Sequence, residues 1–159
     1  DVKLYYTDYD IESDYAKADS AYEMVRDLVE RDIPIDGVGM QMHTRTTDED
    51  PPIPEFEANL QRFVELGVDV LLSEMDVRFC AGGTTEQQKR RFHDIIEVCL
   101  AEPKCTAITI WGTTDQYSFL NDRTDLQCAG TEMPMPLLWD DNYQKKPAYQ
   151  GVMDALLGL

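Results

Sequence analysis

The sequence has few positive charges. It contains 14 Lys and Arg residues against 31 Asp and Glu residues, so its formal net charge is −17 and its pI is near 4.2. A nucleic-acid-binding surface needs basic residues that displace counterions from phosphates, and anionic membranes attract basic segments. The composition therefore argues against nucleic acid and membrane as partners, and it favours solubility in an extracellular medium.

The sequence also lacks long apolar runs and metal-binding patterns. Its apolar stretches are a few residues long, whereas a membrane-spanning helix needs about 20. The two histidines, His43 and His93, are not spaced with cysteines as in a zinc site, and no CxxC pair occurs. We therefore expect no membrane association, no metal and no cofactor.

Four cysteines are present: Cys80, Cys99, Cys105 and Cys128. They allow three pairings, and Cys99 and Cys105 flank a segment, 102–104, whose turn can bring them together. Two disulfides favour a secreted, extracellular protein. Four free buried thiols are the alternative.

The length of 159 residues corresponds to one domain, and 43% hydrophobic with 28% charged residues is typical of a globular chain. Residue 1 is Asp rather than Met, and residues 2–6 already have a strand pattern. We therefore expect a processed chain or a piece of a longer polypeptide.

Strand-like segments alternate with helical segments four times. The helical segments repeat apolar residues at i, i+3 and i+4, and Thr84 or Thr85 can cap the third. Such alternation predicts parallel strands joined by crossover helices. The predicted strands are 4–6, 37–42, 68–74 and 107–112, and the predicted helices are about 16–31, 55–66, 84–100 and 147–157.

Two α/β architectures fit this order of elements. One is a small open sheet, and the other is half of a (β/α)8 TIM barrel, made of four parallel βα units. A complete barrel needs about 250 residues, so residues 1–159 can form only a single partial domain of that kind.

Polar and aromatic residues gather where the predicted strands end. Sites in barrels and in open α/β sheets form at this carboxyl edge, so the set predicts a functional site. Its members are Asp8, Tyr9 and Asp10 after the first strand, Gln41 and His43 after the second, Glu74 and Asp76 after the third, and Trp111 after the fourth.

Several segments resemble glycoside hydrolase family 10, whose members are endo-β-1,4-xylanases built on a (β/α)8 barrel. The resemblance covers almost the whole chain, in the family's order. The segments are 37–43 (GVGMQMH), 59–63 (NLQRF), 66–70 (LGVDV), 73–77 (SEMDV), 108–115 (ITIWGTTD), 138–140 (LWD) and 146–149 (KPAY).

The resemblance places the chain at strands five to eight of the family barrel, its C-terminal half. The family carries its nucleophile after strand seven in a Thr-Glu-Leu-Asp pattern, which makes Glu74 the candidate here. The family's acid/base Glu follows strand four in a Trp-Asp-Val-Val-Asn-Glu type motif, and nothing in this sequence matches it. A retaining glycosidase needs both carboxyl groups, so the chain on its own is expected to be inactive.

Other roles are implied position by position. His43 resembles the residue that hydrogen-bonds the nucleophile, and Asp76 is expected to support it. Gln41 resembles a residue that contacts both nucleophile and sugar. Trp111 resembles the platform under the sugar next to the cleavage point, and Tyr9 resembles an aromatic wall on the leaving-group side.

The sequence departs from the family pattern at three positions. Thr7 and Asp10 stand where the family has asparagines, and Phe119, a further substrate-binding candidate, stands where it has a second Trp. The Cys99–Cys105 pair resembles a family disulfide, which leaves Cys80 and Cys128 as the second pair.

The resemblance implies one function, and an alternative stays open. The chain is expected to be the nucleophile-bearing half of a retaining endo-β-1,4-xylanase, acting on xylan or xylo-oligosaccharides. A half barrel exposes an apolar inner surface, so it is expected to pair with a complementary N-terminal half or to self-associate. The alternative is a non-catalytic, xylanase-like module for glycan binding or structural assembly.

Overall fold

Strands and helices alternate along the chain. The computed structural model describes residues 2–47, 51–123, 125–130 and 133–159. Two single-turn 3-10 helices, Asp115–Tyr117 and Phe119–Asp122, lie before the last helix. The remaining elements are β1 (Tyr5–Asp8), α1 (Ala16–Glu30), β2 (Gly37–Met40), β3 (His43–Arg45), α2 (Ile53–Glu65), β4 (Asp69–Arg78), α3 (Thr85–Ala101), β5 (Cys105–Ile110) and α4 (Pro147–Leu157).

The strands form one parallel sheet. β1 pairs with β2, β2 with β4, and β4 with β5, while β3 pairs with β4 beyond the end of β2. The predicted parallel α/β fold is therefore confirmed. The predicted second strand, 37–42, ends at Met40 in the structure, and a short further strand, β3, begins at His43. The two are separated at Met42, whose backbone is left-handed with φ of 61°.

The helices begin and end where local signals place them. α3 starts with a capping box in which the Thr84 side chain accepts the Gln87 N–H and the Gln87 side chain accepts the Thr84 N–H. α4 starts at Pro147, whose missing N–H costs nothing in a first turn, and it ends at Leu157, where Gly158 caps it with a left-handed φ of 67°. Among the described residues, no helix combines the length and apolarity required to cross a membrane.

The hydrophobic core lies between the sheet and the helices. Each fully buried Val, Leu, Ile, Phe or Met side chain contributes about 1.5–3 kcal/mol to the free energy of folding relative to an exposed one. α4 approaches α3 closely because Gly151 has no Cβ; one there would lie 2.2 Å from the Lys89 carbonyl oxygen. The buried side chains of the core include Val38, Met40, Val70 and Leu72 of the sheet, Phe56, Leu60 and Phe63 of α2, and Phe92, Ile95 and Ile96 of α3.

Two disulfides join the four cysteines, and none of them is free. Cys99–Cys105 connects the end of α3 to the start of β5. Cys80–Cys128 spans 48 residues and connects the loop after β4 to the loop before α4.

Candidate active site

His43 lies between two carboxylates of β4. Its Nδ1 is 2.8 Å from Asp76 Oδ2, and its Nε2 is 3.5 Å from Glu74 Oε2. The Asp76 side chain is 1% exposed, whereas those of His43 and Glu74 are each 20% exposed. One imidazole therefore bridges a buried carboxylate and a second carboxylate that solvent, or a ligand, can reach.

A shift in strand register places His43 opposite Asp76. Met40 pairs with Leu72, whereas His43 pairs with Asp76, so three steps along β2–β3 correspond to four along β4. The extra residue of β4 lies in the stretch that contains Glu74. Irregularities of this kind redirect side chains near functional sites.

The electrostatics of the group favour a bound proton. Burial alone would lower the pKa of the His43 imidazole, but the hydrogen bond and charge of Asp76, with the charges of Glu74 and Glu12, raise it overall. Burial also raises the pKa of Asp76, although the hydrogen bond and charge of His43 oppose that shift. A protonated imidazole can donate to both β4 carboxylates at once.

The backbone brings Gln41 and Trp111 to Glu74. The Gln41 carbonyl oxygen accepts the Glu74 N–H at 3.1 Å, across the gap between β2 and β3. The Trp111 N–H donates to the Met75 carbonyl oxygen at 3.1 Å, and the side chain of Trp111 is 42% exposed. An exposed indole at the end of the strand next to the one that carries Glu74 can serve as a stacking platform for a sugar ring.

Phe119 contacts the same group from the loop before α4. Its ring centroid lies 5.4 Å from that of His43. Farther along this loop, Arg78 Nη1 donates to the Leu126 carbonyl oxygen at 2.7 Å, and the Cys80–Cys128 disulfide follows. The loop that carries Phe119 is therefore fixed to the end of β4 at several points, because the N–H groups of Val77 and Phe79 also donate to the carbonyl oxygens of Pro136 and Pro134.

Tyr9 lies at the end of β1 and is held by Lys17 of α1. Lys17 Nζ lies 3.3 Å from the centroid of the Tyr9 ring and 2.7 Å from Asp8 Oδ1. The Tyr6 hydroxyl donates to Asp8 at 2.6 Å, which raises the pKa of Tyr6 to about 12. Tyr9 is 54% exposed and does not belong to the group of side chains around His43. The end of β1 is connected to that group through the Asp8 carbonyl oxygen, which accepts the Gln41 N–H.

The structure also shows site residues that sequence reasoning did not single out. Glu12 is 5% exposed, and its carboxylate accepts the N–H groups of Ile11 and Met42, each at 2.9 Å. No local pattern in the sequence distinguishes Glu12 from the acidic residues to which the sequence assigns no role. Lys17 likewise carries no distinguishing signal, because it lies in an ordinary helical pattern.

A second histidine group lies on α3 rather than at the strand ends. Ligand atoms of His93, Asp94 and Glu97 lie within 4.8 Å of one another, and His93 Nδ1 is 2.9 Å from Asp94 Oδ1. Within the described ranges, these are the residues whose spacing could accommodate a metal ion. Hydrogen bonding within the group accounts for their arrangement without one.

The chain has relatives among xylanases of known sequence. It is 37% identical to the endo-1,4-beta-xylanase of Agaricus bisporus over 156 residues, which cover 96% of this chain and 44% of that protein. The chain therefore spans less than half the length of this curated relative.

Solved structures are similar in fold as well. Native xylanase 10B from Thermotoga maritima matches with a TM-score of 0.88 and 34% identity, over 99% of this chain and 48% of that one. A mutant of Xylanase10C from Cellvibrio japonicus in complex with xylopentaose matches with a TM-score of 0.89 and 36% identity, over 99% and 34% of the two chains.

One family profile spans nearly all of the sequence. The profile described as "Glycosyl hydrolase family 10" matches residues 1–155. Together with the sequence identities and the common fold, this match shows that the chain belongs to glycosyl hydrolase family 10.

Proposed function

We propose that this chain is the nucleophile-bearing C-terminal half of a retaining endo-β-1,4-xylanase, comprising strands five to eight of a (β/α)8 barrel. The observation that carries the proposal is the position of Glu74, a reachable carboxylate whose only described side-chain partner is His43. Asp76 fixes that imidazole from its other nitrogen. A nucleophile needs this combination of access and fixed orientation.

The half-barrel assignment is supported by the edges of the sheet. β1 and β5 each have one strand neighbour in the described sheet, and Thr106, Ala107 and Thr109 of β5 are exposed. The chain also spans 44% and 48% of two xylanases that it resembles. We infer that residues 1–159 are a partial domain, and that β2 and β3 together supply one barrel strand.

In the proposed reaction, the Glu74 carboxylate attacks the anomeric carbon and forms a covalent glycosyl-enzyme. A general acid protonates the departing oxygen, and water activated by the same residue then releases the sugar. This acid must lie about 5–5.5 Å from Glu74. The sequence has no match to the family's acid/base motif, so a complementary N-terminal half barrel is proposed to supply it, with self-association as the alternative way to cover the open edges.

Substrate contacts are proposed for four side chains at the same edge of the sheet. Gln41 and Trp111 flank Glu74, Phe119 covers His43, and Tyr9 stands at the end of β1. The structural relative bound to xylopentaose supports xylan or xylo-oligosaccharides as the substrate. Two disulfides in a short chain support secretion into an oxidising, extracellular environment.

Complementation tests the proposal. The chain alone should not hydrolyse xylan, and it should gain activity when mixed with an N-terminal half barrel that carries the acid/base Glu. Glu74→Gln should abolish the gained activity while association persists, because an amide is isosteric but cannot attack carbon. Glu65→Gln, at an exposed position of α2, is the matched control and should retain activity.

A covalent probe gives an independent test of the nucleophile. An activated 2-deoxy-2-fluoro xylobioside has a good leaving group and needs no general acid. In the complemented complex it should label Glu74 alone, as read by peptide mass spectrometry. Labelling of another carboxylate, or full activity in Glu74→Gln, would overturn the assignment and favour the non-catalytic glycan-binding module.

A further inference from the structure

The connection between β1 and α1 is buried rather than exposed. Ile11, Glu12 and Ser13 are 0%, 5% and 0% exposed. Two side chains of α2 anchor the connection: Asn59 Nδ2 donates to the Ile11 carbonyl oxygen at 2.7 Å, and Glu55 accepts the Ser13 hydroxyl at 2.9 Å. Glu12 is thus held at a fixed depth by its neighbours on both sides.

The Glu12 carboxylate satisfies two backbone donors. Oε2 accepts the Ile11 N–H and Oε1 accepts the Met42 N–H, both at 2.9 Å. Met42 has a left-handed φ of 61° and lies between β2 and β3. A buried N–H without a hydrogen-bond partner destabilises the fold, so the Glu12 carboxylate that accepts the Met42 N–H stabilises the strand break.

That break controls where two site residues lie. Gln41 and His43 immediately flank Met42, and the pairing of His43 with Asp76 begins directly after the break. A continuous strand in the register of β2 would pair Asp76 with the residue after His43. The imidazole would then lose its 2.8 Å contact with Asp76.

We infer that Glu12 is a positioning residue: its carboxylate fixes the backbone break at Met42 and thereby holds His43 in place beside Glu74. The inference rests on the proposed function for the catalytic value of that placement. The geometry itself, a buried carboxylate bonded to the backbone between Gln41 and His43, does not depend on it.

Charge adds a second effect that can be measured. The charged groups described around His43 are Glu74 and Asp76 from β4 and Glu12 from the β1–α1 connection, and the uncharged ring of Phe119 lies on the loop side. All three carboxylates favour the protonated imidazole, against burial. Neutralising Glu12 therefore removes one of the three and shifts the titration of His43 to lower pH.

The test compares Glu12→Gln with Glu55→Gln in this chain and in its complex with the complementary half barrel. Glutamine keeps one acceptor oxygen, so the fold can persist without the charge. The His43 titration midpoint, followed by ¹⁵N NMR of the imidazole, should move to lower pH in Glu12→Gln and stay unchanged in Glu55→Gln. Glu55 anchors the same connection, but it does so through the Ser13 hydroxyl, whereas Glu12 binds the Met42 N–H next to His43.

Catalysis provides the second readout. In an active complex, kcat for Glu12→Gln should fall about tenfold to a hundredfold with little change in KM, since misplacement by about 1 Å costs up to about 10²-fold. Glu12→Asp keeps the charge but is one methylene shorter, so it should lower kcat while leaving the His43 midpoint closer to that of the parent.

The outcomes separate the two proposals. A folded Glu12→Gln protein with an unchanged His43 midpoint overturns the positioning role. If that variant does not fold, the parent protein provides the test. The chemical shift of the Glu12 ¹³Cδ should change over the pH range in which His43 titrates, and a constant chemical shift overturns the inference. A shifted midpoint in a protein without xylanase activity overturns only the proposed function.

Discussion

The two faces of the sheet differ in how well this chain covers them. One face packs against the helices, and the side chains of the next row of residues, which point to the other face, are only partly covered. Val38 and Val70 are paired and fully buried among helix side chains. The following row runs across the sheet from Thr7 on β1 to Ala107 on β5, and both of these ends are exposed.

This difference separates stability from chemistry within one chain. The core side chains are excluded from solvent, and their burial is the main source of folding free energy. His43 and Glu74 of the candidate active site are not in that core, because each keeps 20% exposure. Substitutions in the two regions should therefore have opposite profiles: loss of stability in one, and loss of activity in the other.

The largest expected effect is in the helix-side core. Phe63 of α2 is fully buried and contacts the Tyr22 ring at a centroid distance of 5.7 Å. Phe63→Ala should reduce the free energy of unfolding by about 3–5 kcal/mol, because it removes apolar contacts and leaves a cavity. Chemical denaturation of parent and variant measures the difference.

The matched control for Phe63→Ala is a substitution on β5, the strand at the exposed edge of the sheet. Thr109 of β5 is exposed, so Thr109→Ala should change the free energy of unfolding by no more than about 0.5 kcal/mol. If Thr109→Ala lowered the free energy of unfolding nearly as much as Phe63→Ala, β5 would not be an exposed edge. Another surface would then cover it in solution.

The two disulfides provide the next largest contrast. Loop-closure entropy predicts a loss of about 4 kcal/mol for removing Cys80–Cys128, with its separation of 48, and about 2 kcal/mol for Cys99–Cys105, with its separation of 6. Serine pairs at each site, compared by denaturation, measure both losses.

Binding should distinguish the same two disulfides in a second way. Cys80–Cys128 fixes the loop that carries Phe119, whereas Cys99–Cys105 joins α3 to β5. Only the first serine pair should weaken xylo-oligosaccharide binding by the folded protein in calorimetric titration. Equal weakening in both would show that the Phe119 loop does not depend on the disulfide for its placement.

The sequence was most informative where structure is decided locally. The start of α3 follows from the Thr84 cap, and the α4 bounds follow from Pro147 and the helical spacing that ends at Leu157. The alternation of strands and helices predicts a parallel sheet, because crossover helices leave few other arrangements.

The sequence was least informative where the backbone conformation depends on a residue far away in the chain. The division between β2 and β3 depends on Met42, whose N–H is bonded to Glu12, 30 residues away in the chain. Spacing in β4 predicts that Glu74 and Asp76 point the same way, as residues i and i+2 of a strand do. It does not predict that one imidazole contacts both, since that requires the register shift between β3 and β4.

A smaller effect concerns pH. The pKa of His43 is raised in the folded chain, so its stabilising contribution is present below the unfolded value near 6.5 and is lost as pH rises through the folded value. The parent should therefore exceed His43→Asn in unfolding free energy by more at pH 5.5 than at pH 9. Denaturant titrations at several pH values measure this trend.

His93 is the comparison for that experiment, because its pKa is raised by Asp94 and Glu97 on an outer helix. The sign of its pH dependence is the same, but solvent screens pairs at the surface more strongly. His93→Asn should therefore show the weaker dependence. An equal dependence in both variants would mean that placing His43 against the buried Asp76 carboxylate adds nothing to its proton affinity.

The smallest expected effect lies at the end of β1. Lys17 is bonded to Asp8 and lies over the Tyr9 ring, so Lys17→Met should let that ring move. A cation–π contact at a partly exposed site is worth about 0.5–1 kcal/mol, which corresponds to an affinity loss of about two- to fivefold if Tyr9 contacts sugar. Lys3→Met is the control, because Lys3 pairs with Asp69 at 2.6 Å, at the opposite end of the sheet. Calorimetric titration with a xylo-oligosaccharide should show weakening for Lys17→Met alone. If both variants bound the xylo-oligosaccharide equally weakly, the loss of affinity would result from the change in net charge. The Tyr9 ring would then not belong to the proposed binding surface.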